Sequence, residues 1–225
     1  PSTGVIQAAV KRIINNGYDH IIAISIATGL SSTLSGMKLA CDMAQMPVTL
    51  IDTKGTANNH RYLIKVAKKL IDDQKDVTEI ENVLTSLIEQ SATLIMTPNL
   101  THLKKGGRIT PAVAMLGNLL KIVPVMKLNY ELGGKIDSLD KVRTVKKANL
   151  RIIEHMVDEC KVNNHDYIFA IEHVLAEELA QTMKQVLIDK IGECQIVVRE
   201  LPSVVGAHMG GYQYIRKYEG VSWNE

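Results

Sequence analysis

Short apolar segments that alternate with amphipathic helices most constrain how this chain can fold. The first unit runs from the apolar segment His20 to Ile26, through a helix that reaches Met46, to the apolar segment Val48 to Asp52. Two parallel strands need a connection of this length, and such βαβ units build sheets covered by helices on both faces. The sequence therefore predicts an α/β fold with a mostly parallel sheet, whose first strand has no exposed face.

The pattern changes after residue 120. An apolar segment from Ile122 to Leu128 is followed by Gly133-Gly134 and a further segment from Lys135 to Leu139, which indicates a β-hairpin. Helices and strands alternate again beyond it. We therefore predict two domains, an N-terminal α/β domain over residues 1–120 and a C-terminal α/β domain over residues 121–225.

Composition excludes several classes of function. A net charge of +2 and an aromatic content of 4% disfavour nucleic-acid binding, which needs basic surface and rings for stacking. The longest apolar run, Pro111 to Met126, is interrupted by polar residues and is too short to span a bilayer. The histidines lack metal-ligand spacing, so no metal or other cofactor is expected. The chain has three cysteines, Cys41, Cys160 and Cys194, which are far apart in the sequence. This spacing is typical of free thiols in the cytoplasm.

The turn from Ala27 to Thr33 is the most informative local segment, because it lies between a buried strand and a helix. Ligands of α/β proteins collect at such ends of strands, where helix N-termini attract anions. The hydroxyls of Thr28, Ser31 and Thr33 are candidate donors to an anion. Helix capping by Ser31 or Ser32 explains the serines equally well. A serine nucleophile is disfavoured, since Thr33 stands where the hydrolase motif G-x-S-x-G requires glycine.

A second glycine-rich segment, Gly206 to Gly211, follows another apolar strand. Gly206 allows close approach of the backbone to a ligand, and His208 is able to donate a hydrogen bond to a carboxylate or phosphate. By position alone, an ordinary loop histidine is the favoured interpretation.

Two further segments concentrate positive charge. Arg108 follows Lys104, Lys105 and two glycines, a position from which a guanidinium reaches an anion or a protein partner. Arg143 begins a cationic stretch before a helix, and cations there oppose the helix dipole, which favours a role beyond solvation.

Four segments occur together in a characteristic order. They are Pro1-Ser2 opening a helix, the G-L-S-x-T turn at Gly29 to Thr33, L-x-x-L-K-K-G-G-R-I from Leu100 to Ile109, and G-x-H at Gly206 to His208. This set resembles the DegV family of bacterial fatty-acid-binding proteins. The resemblance extends over nearly the whole chain and implies an N-terminal three-layer α/β/α domain, a C-terminal two-layer α/β domain and a ligand cleft between them.

The resemblance also implies a function. Proteins of this family hold a long-chain fatty acid in an apolar tunnel and present its carboxylate to a fatty acid kinase, without catalysing a reaction themselves, as part of phospholipid metabolism. By resemblance, Ser31, with Thr28 or Thr33, supplies hydroxyls to the carboxylate, and His208 beside Gly206 supplies the histidine. Arg143 is expected to neutralise the head group.

By the same resemblance, Arg108 is associated with the kinase. The burial of an acyl chain, at about 0.8 kcal/mol per CH₂, is consistent with tight binding by such a carrier.

The sequence departs from the family pattern at three places. It starts at the proline of the family's Thr-Ser-Gln-Pro segment, so the first strand is expected to be missing and apolar surface exposed at the sheet edge. G-A-H-M-G-G-Y replaces G-x-H-x-G-P-G, and Asn58-Asn59-His60 replaces small residues. Two other hypotheses are a phosphocarrier or small-molecule enzyme using His208, and an interaction module without a ligand.

Overall fold

The structure of the chain, a computed structural model, describes residues 1–97, 100–116, 122–163, 167–206 and 210–216. Its elements alternate as the sequence pattern predicts. The first part of the chain forms α1 (Thr3–Asn15), β1 (Ile21–Ser25), α2 (Thr33–Met43), β2 (Val48–Asp52), α3 (Ala57–Asp72), α4 (Val77–Glu89), β3 (Ala92–Met96), α5 (Thr101–Gly106) and α6 (Pro111–Leu116). The second part forms β4 (Val123–Asn129), β5 (Asp137–Val142), α7 (Val145–Asn163), β6 (Tyr167–His173), α8 (Glu177–Ile191), β7 (Gln195–Glu200), α9 (Ser203–Gly206) and β8 (Gly210–Arg216).

The described strands form two sheets. Strands β1 and β2 are parallel, with Ile21 opposite Val48 and Ser25 opposite Asp52. The other sheet has the order β5-β4-β3-β8-β6-β7, in which only β6 and β7 are parallel. Strand β3 precedes residue 120 but pairs with β4 and β8, which follow it. The division into domains at residue 120 therefore stays a prediction, while the α/β fold class is confirmed.

Strand β1 is less buried than predicted. Its residues Ile21, Ile22 and Ile24 are only half-buried, so the expectation of a strand without any exposed face is wrong. The physical reason is that β2 is its one strand partner among the described residues, and an apolar groove of about 410 Å³ runs between β1 and α1.

Strand β6 joins two parts of the core, because its side chains alternate between the faces of the larger sheet. Phe169 and Ile171 pack with α7 and α8, whereas Ile168 and Ala170 pack with α3 and α4. Ile51 of β2 belongs to the same cluster as α3 and α4. The helices α3 and α4 thus connect the two-stranded sheet to the larger one.

Within the described ranges, no helix is both long and apolar enough to cross a membrane. In the same ranges, no three histidine, cysteine or acidic side chains are grouped so as to hold a metal ion.

Candidate functional site

The turn after β1 is held tightly by backbone hydrogen bonds. The Ala27 N–H donates to the carbonyl of Gly55, at 2.9 Å, and so ties this turn to the loop after β2. The Ala27 carbonyl accepts from the N–H groups of Leu30 and Ser31, at 2.9 and 3.2 Å. Because β1 and β2 are parallel, both loops leave the same edge of their sheet. The turn is therefore a rigid platform where an α/β protein is able to bind a ligand.

Gly29 lies directly against the β4–β5 hairpin. A Cβ atom at Gly29 would be 2.1 Å from the carbonyl oxygen of Gly134, which is closer than any real contact. Gly134 itself has a φ of +72°, in the left-handed region that favours glycine. Two glycines thus allow the turn and the hairpin to meet backbone to backbone.

Asp52, at the end of β2, organises the polar side of the turn. Its carboxylate accepts from the Thr28 hydroxyl at 2.5 Å and from the Thr28 N–H at 3.2 Å. It also accepts from the Lys54 ammonium, at 2.7 Å. Burial, the largest single effect, raises the pKa of Asp52, but the hydrogen bonds from Lys54 and Thr28 outweigh it and hold this pKa below its ordinary value.

Ser31 and Thr33 form the second polar pair of the turn. Their hydroxyl oxygens are 2.8 Å apart, and the Thr33 N–H donates to the Ser31 hydroxyl at 3.3 Å. Thr33 is the first residue of α2, so Ser31 serves as a cap one residue earlier than the N-cap position. Ser32 occupies that position and makes no side-chain capping bond. When the Thr33 hydroxyl is the donor in this pair, the Ser31 hydroxyl keeps its proton for a ligand.

Arg108 joins the Gly-Gly-Arg segment to this turn. Its guanidinium donates to the carbonyl of Leu30, at 3.3 Å, and to the carbonyl of Gly106. The φ of Gly107 is +67°, and this residue ends helix α5. The arginine is exposed and lies beside the turn.

The other predicted ligands either are not described in contact with the turn or lie outside the described residues. Arg143 is exposed and directly follows the last residue of β5. Its role in neutralising the head group stays a prediction. Gly206 is the last residue of α9, and His208 lies outside the described residues.

Two cations near the turn were missed by the sequence analysis. Lys54 contributes through Asp52, and the Lys135 side chain reaches within 3.1 Å of a Cβ built at Gly29. The available signal was the position of Asp52 and Lys54 after β2, because parallel strands place their carboxyl ends at one edge. Because Lys54 is paired with the Asp52 carboxylate, the net positive charge beside the turn comes from Arg108 and Lys135, and it suits an anionic head group.

Known proteins are similar to this chain in sequence and in fold. Residues 1–212 match the family described as "Uncharacterised protein, DegV family". A DegV domain-containing protein of Lactococcus lactis is 29% identical over 197 residues, which cover 85% of this chain and 67% of the relative. One from Streptococcus pyogenes serotype M3 is 30% identical over 214 residues, or 93% of this chain and 73% of the relative.

Two crystal structures have the same architecture. A fatty acid binding DegV family protein from Streptococcus agalactiae superposes with a TM-score of 0.87 and 28% identity, covering 97% of this chain and 77% of the other. DegV from Bacillus subtilis, described as a fatty acid binding protein, superposes with a TM-score of 0.83 and 26% identity, covering 96% and 77% of the two chains.

Proposed function

Since the chain belongs to the DegV family, as its match over residues 1–212 shows, we propose that it is a non-catalytic carrier that binds a long-chain fatty acid in an internal apolar tunnel. In this proposal, the carboxylate lies at the turn from Thr28 to Thr33 and is presented to a fatty acid kinase in the cytoplasm. The observation that supports it is the backbone-tied turn with its bonded hydroxyls and surrounding cations.

The same turn also contacts an apolar cluster, as an amphiphilic ligand requires. Ala27 and Leu30 of the turn pack with side chains of α5 and α6 and of the β4–β5 hairpin, including Leu103, Val113 and Leu128. Apolar and polar surfaces thus meet at one loop. An acyl chain gains about 0.8 kcal/mol for each CH₂ group buried there.

Ser31 is the proposed hydroxyl donor to the carboxylate. Thr28 is less available, because its hydroxyl already donates to Asp52. Thr33 is bonded to Ser31 and orients it. His208, beside Gly206, keeps its proposed role as a second donor to the head group.

Arg108 is the proposed contact with the kinase. It is exposed, it is held by the carbonyls of Leu30 and Gly106, and it stands over the turn that is to bind the carboxylate. An acyl phosphate formed there would have a guanidinium close to its phosphoryl group. Arg143 stays a predicted head-group residue without support from the geometry.

The direct test is denaturing extraction of the purified protein, followed by mass spectrometry for lipids. We expect a fatty acid in stoichiometric amount from the parent chain. The affinity of the protein for the fatty acid should fall about tenfold or more in Ser31→Ala and in His208→Ala, since each substitution removes a hydrogen bond to a charged group. Ser32→Ala is the matched control, because Ser32 is exposed and makes no capping bond. A lipid-free parent protein that also fails to bind added oleate would refute the carrier proposal.

The kinase step needs a separate measurement. With a bacterial fatty acid kinase and the loaded carrier, Arg108→Ala should lower the rate of acyl phosphate formation and leave the bound fatty acid unchanged. Lys105→Ala removes a neighbouring exposed cation and serves as the control. Equal rates for the two variants would exclude the role of Arg108.

A further inference from the structure

A pocket with apolar and charged side chains in its wall lies between the start of α3 and the carboxyl ends of β6 and β7. Its volume is about 540 Å³. Ile26, Pro202 and Val204 form apolar parts of its wall, while Asn58 and Glu172 contribute polar groups. None of the turn residues assigned to the fatty acid lines this pocket.

Oε2 of Glu172 and Nδ2 of Asn58 are buried in the wall of this pocket and have no hydrogen-bond partner in the described structure, and each residue is only 3% exposed. A buried polar group without a partner costs about 1–3 kcal/mol, so two in one pocket call for a physical explanation.

Capping of α3 explains only part of the arrangement. Thr56, the N-cap residue, makes no side-chain capping bond, and the Asn58 N–H donates to the Glu172 carboxylate instead. Glu172 thus completes the first turn of α3 from a neighbouring strand. This role does not use Oε2 of Glu172 or the side chain of Asn58.

The pocket also brings two arginines together. Arg61 and Arg199 both line it and are close enough for the charge of Arg61 to lower the pKa of Arg199, although burial lowers that pKa more. Arg199 faces Glu172 across the β6–β7 pair. The other titratable groups on the wall are His60, which donates to the Ile24 carbonyl, and Glu200.

We infer that this pocket is a second ligand site, which binds a small organic anion through its carboxylate or phosphate group. The oxyanion accepts hydrogen bonds from Nδ2 of Asn58 and from Glu172, and it pairs with Arg61 at the mouth. The start of α3 adds its partial positive charge. The apolar part of the ligand packs against Ile26, Pro202 and Val204.

The protonation of Glu172 agrees with this assignment. Burial raises its pKa to about 8, against the opposing effects of the Asn58 N–H and of Arg199. At neutral pH it is therefore a neutral acid, whose O–H is a donor. Above its pKa it becomes an anion that repels the ligand, so binding should weaken as the pH rises.

The experiment is calorimetric titration of the full chain with butyrate and with inorganic phosphate at pH 6.5. We expect saturable binding of at least one of them, and the stronger one identifies the head group. Arg61→Gln should weaken it about tenfold, as expected for a lost charged hydrogen bond. Arg12→Gln, which removes an exposed cation of α1, is the matched control and should have no effect.

Butyrate also tests the role of Glu172, because the charge of butyrate is constant above pH 6. A change in affinity above that pH therefore comes from the protein. The affinity for butyrate should fall between pH 6.5 and pH 9 in the parent chain and stay level in Glu172→Gln, whose amide is a donor at both pH values. Absence of saturable binding to the parent chain, or equal affinities for Arg61→Gln and Arg12→Gln, would overturn the proposal.

Lipid extraction separates this inference from the carrier function. Arg61→Gln should retain the extracted fatty acid that Ser31→Ala loses. If Arg61→Gln loses the fatty acid instead, the pocket belongs to the acyl ligand and is not a second site. A protein that carries no fatty acid and fails to bind added oleate, but binds butyrate in a way that depends on Arg61, would refute the carrier function alone.

Discussion

The turn at Thr28 to Thr33 and the pocket at Asn58 and Glu172 both lie where strands end, but they differ in how fully their polar groups are hydrogen-bonded. At the turn, the carboxylate of Asp52 accepts from Thr28 and Lys54, and Ser31 is bonded to Thr33. In the pocket, polar atoms of two almost fully buried side chains have no described partner.

The difference separates two ways of preparing a binding site. Internal hydrogen bonds fix the turn in one geometry, so that its donors are oriented before a ligand arrives. In the pocket, by contrast, buried donors have no described partner. A ligand that accepts hydrogen bonds from them offsets the free-energy cost of burying them without a partner. Substitutions at the turn should therefore destabilise the fold, whereas substitutions in the pocket should cost little stability or even increase it.

The largest effect is expected at the contact between the turn and the hairpin. Gly29→Val should cost at least about 4 kcal/mol of unfolding free energy or prevent folding, because a Cβ atom cannot be placed against the Gly134 carbonyl without moving two backbone segments. Urea denaturation measures the loss.

Gly4→Ala is the matched control for that experiment. A Cβ at Gly4 meets nothing within 4 Å, and alanine favours the helix by about 1 kcal/mol. A Gly29→Val protein as stable as the parent would show that the hairpin does not fix the turn.

The second effect tests the pocket through the pH dependence of stability. The pKa of Glu172 is raised to about 8 in the folded chain, whereas the reference pKa of a glutamate in an unfolded chain is about 4.3. Between these values the folded state binds more protons, so the unfolding free energy should fall as the pH rises. The loss between pH 6 and pH 8 should be about 2–3 kcal/mol, at about 1.4 kcal/mol per unit.

Glu172→Gln should remove this dependence, because its amide does not titrate. Urea denaturation at several pH values provides the comparison, with Glu81→Gln, on the exposed side of α4, as the control. Parallel curves for the parent and Glu172→Gln would show that Glu172 ionises normally.

The two regions also differ in how far the sequence predicts them. The turn was found from its position after an apolar strand, and its hydroxyls lie together as expected. The partner Asp52 was missed, although its position at the end of a strand parallel to β1 was an available signal. The hydrogen bond from Thr28 to its carboxylate is visible only in the structure. The pocket was missed because Asn58 and Glu172 are 114 positions apart in sequence. Only the burial of β6 shows that a glutamate there lacks solvent.

The third effect concerns the polar bonds of the turn. Asp52→Asn should destabilise the chain by about 1–2 kcal/mol at pH 7, since the bonds from Thr28 and Lys54 lose their charged acceptor and the site is partly exposed. The folded pKa of Asp52 is lowered, so its stabilisation is complete above the unfolded pKa and is lost as the pH falls through the folded value. The difference between the two proteins should therefore shrink in acid.

Thermal unfolding at pH 7 and pH 3 tests this dependence. Asp42→Asn is the control, because the Asp42 ion pair with Lys38 is exposed and should contribute less than about 0.5 kcal/mol. A difference that persists unchanged at pH 3 would show that the charge of Asp52 is not what stabilises the turn.

The smallest effect is expected at Asn58, in the most direct comparison, which is between two buried asparagines. Asn129, near the hairpin, donates to Glu131 and accepts from the Leu132 N–H, whereas Nδ2 of Asn58 has no described partner. Replacement by leucine should cost about 1–3 kcal/mol at Asn129, where it leaves a donor without its acceptor. At Asn58 it should change stability by less than about 1 kcal/mol and should favour the folded state, because an unsatisfied amide is removed. Urea denaturation of both variants measures the two changes in unfolding free energy. Equal losses would mean that the polar groups of the pocket are hydrogen-bonded as fully as those of the turn.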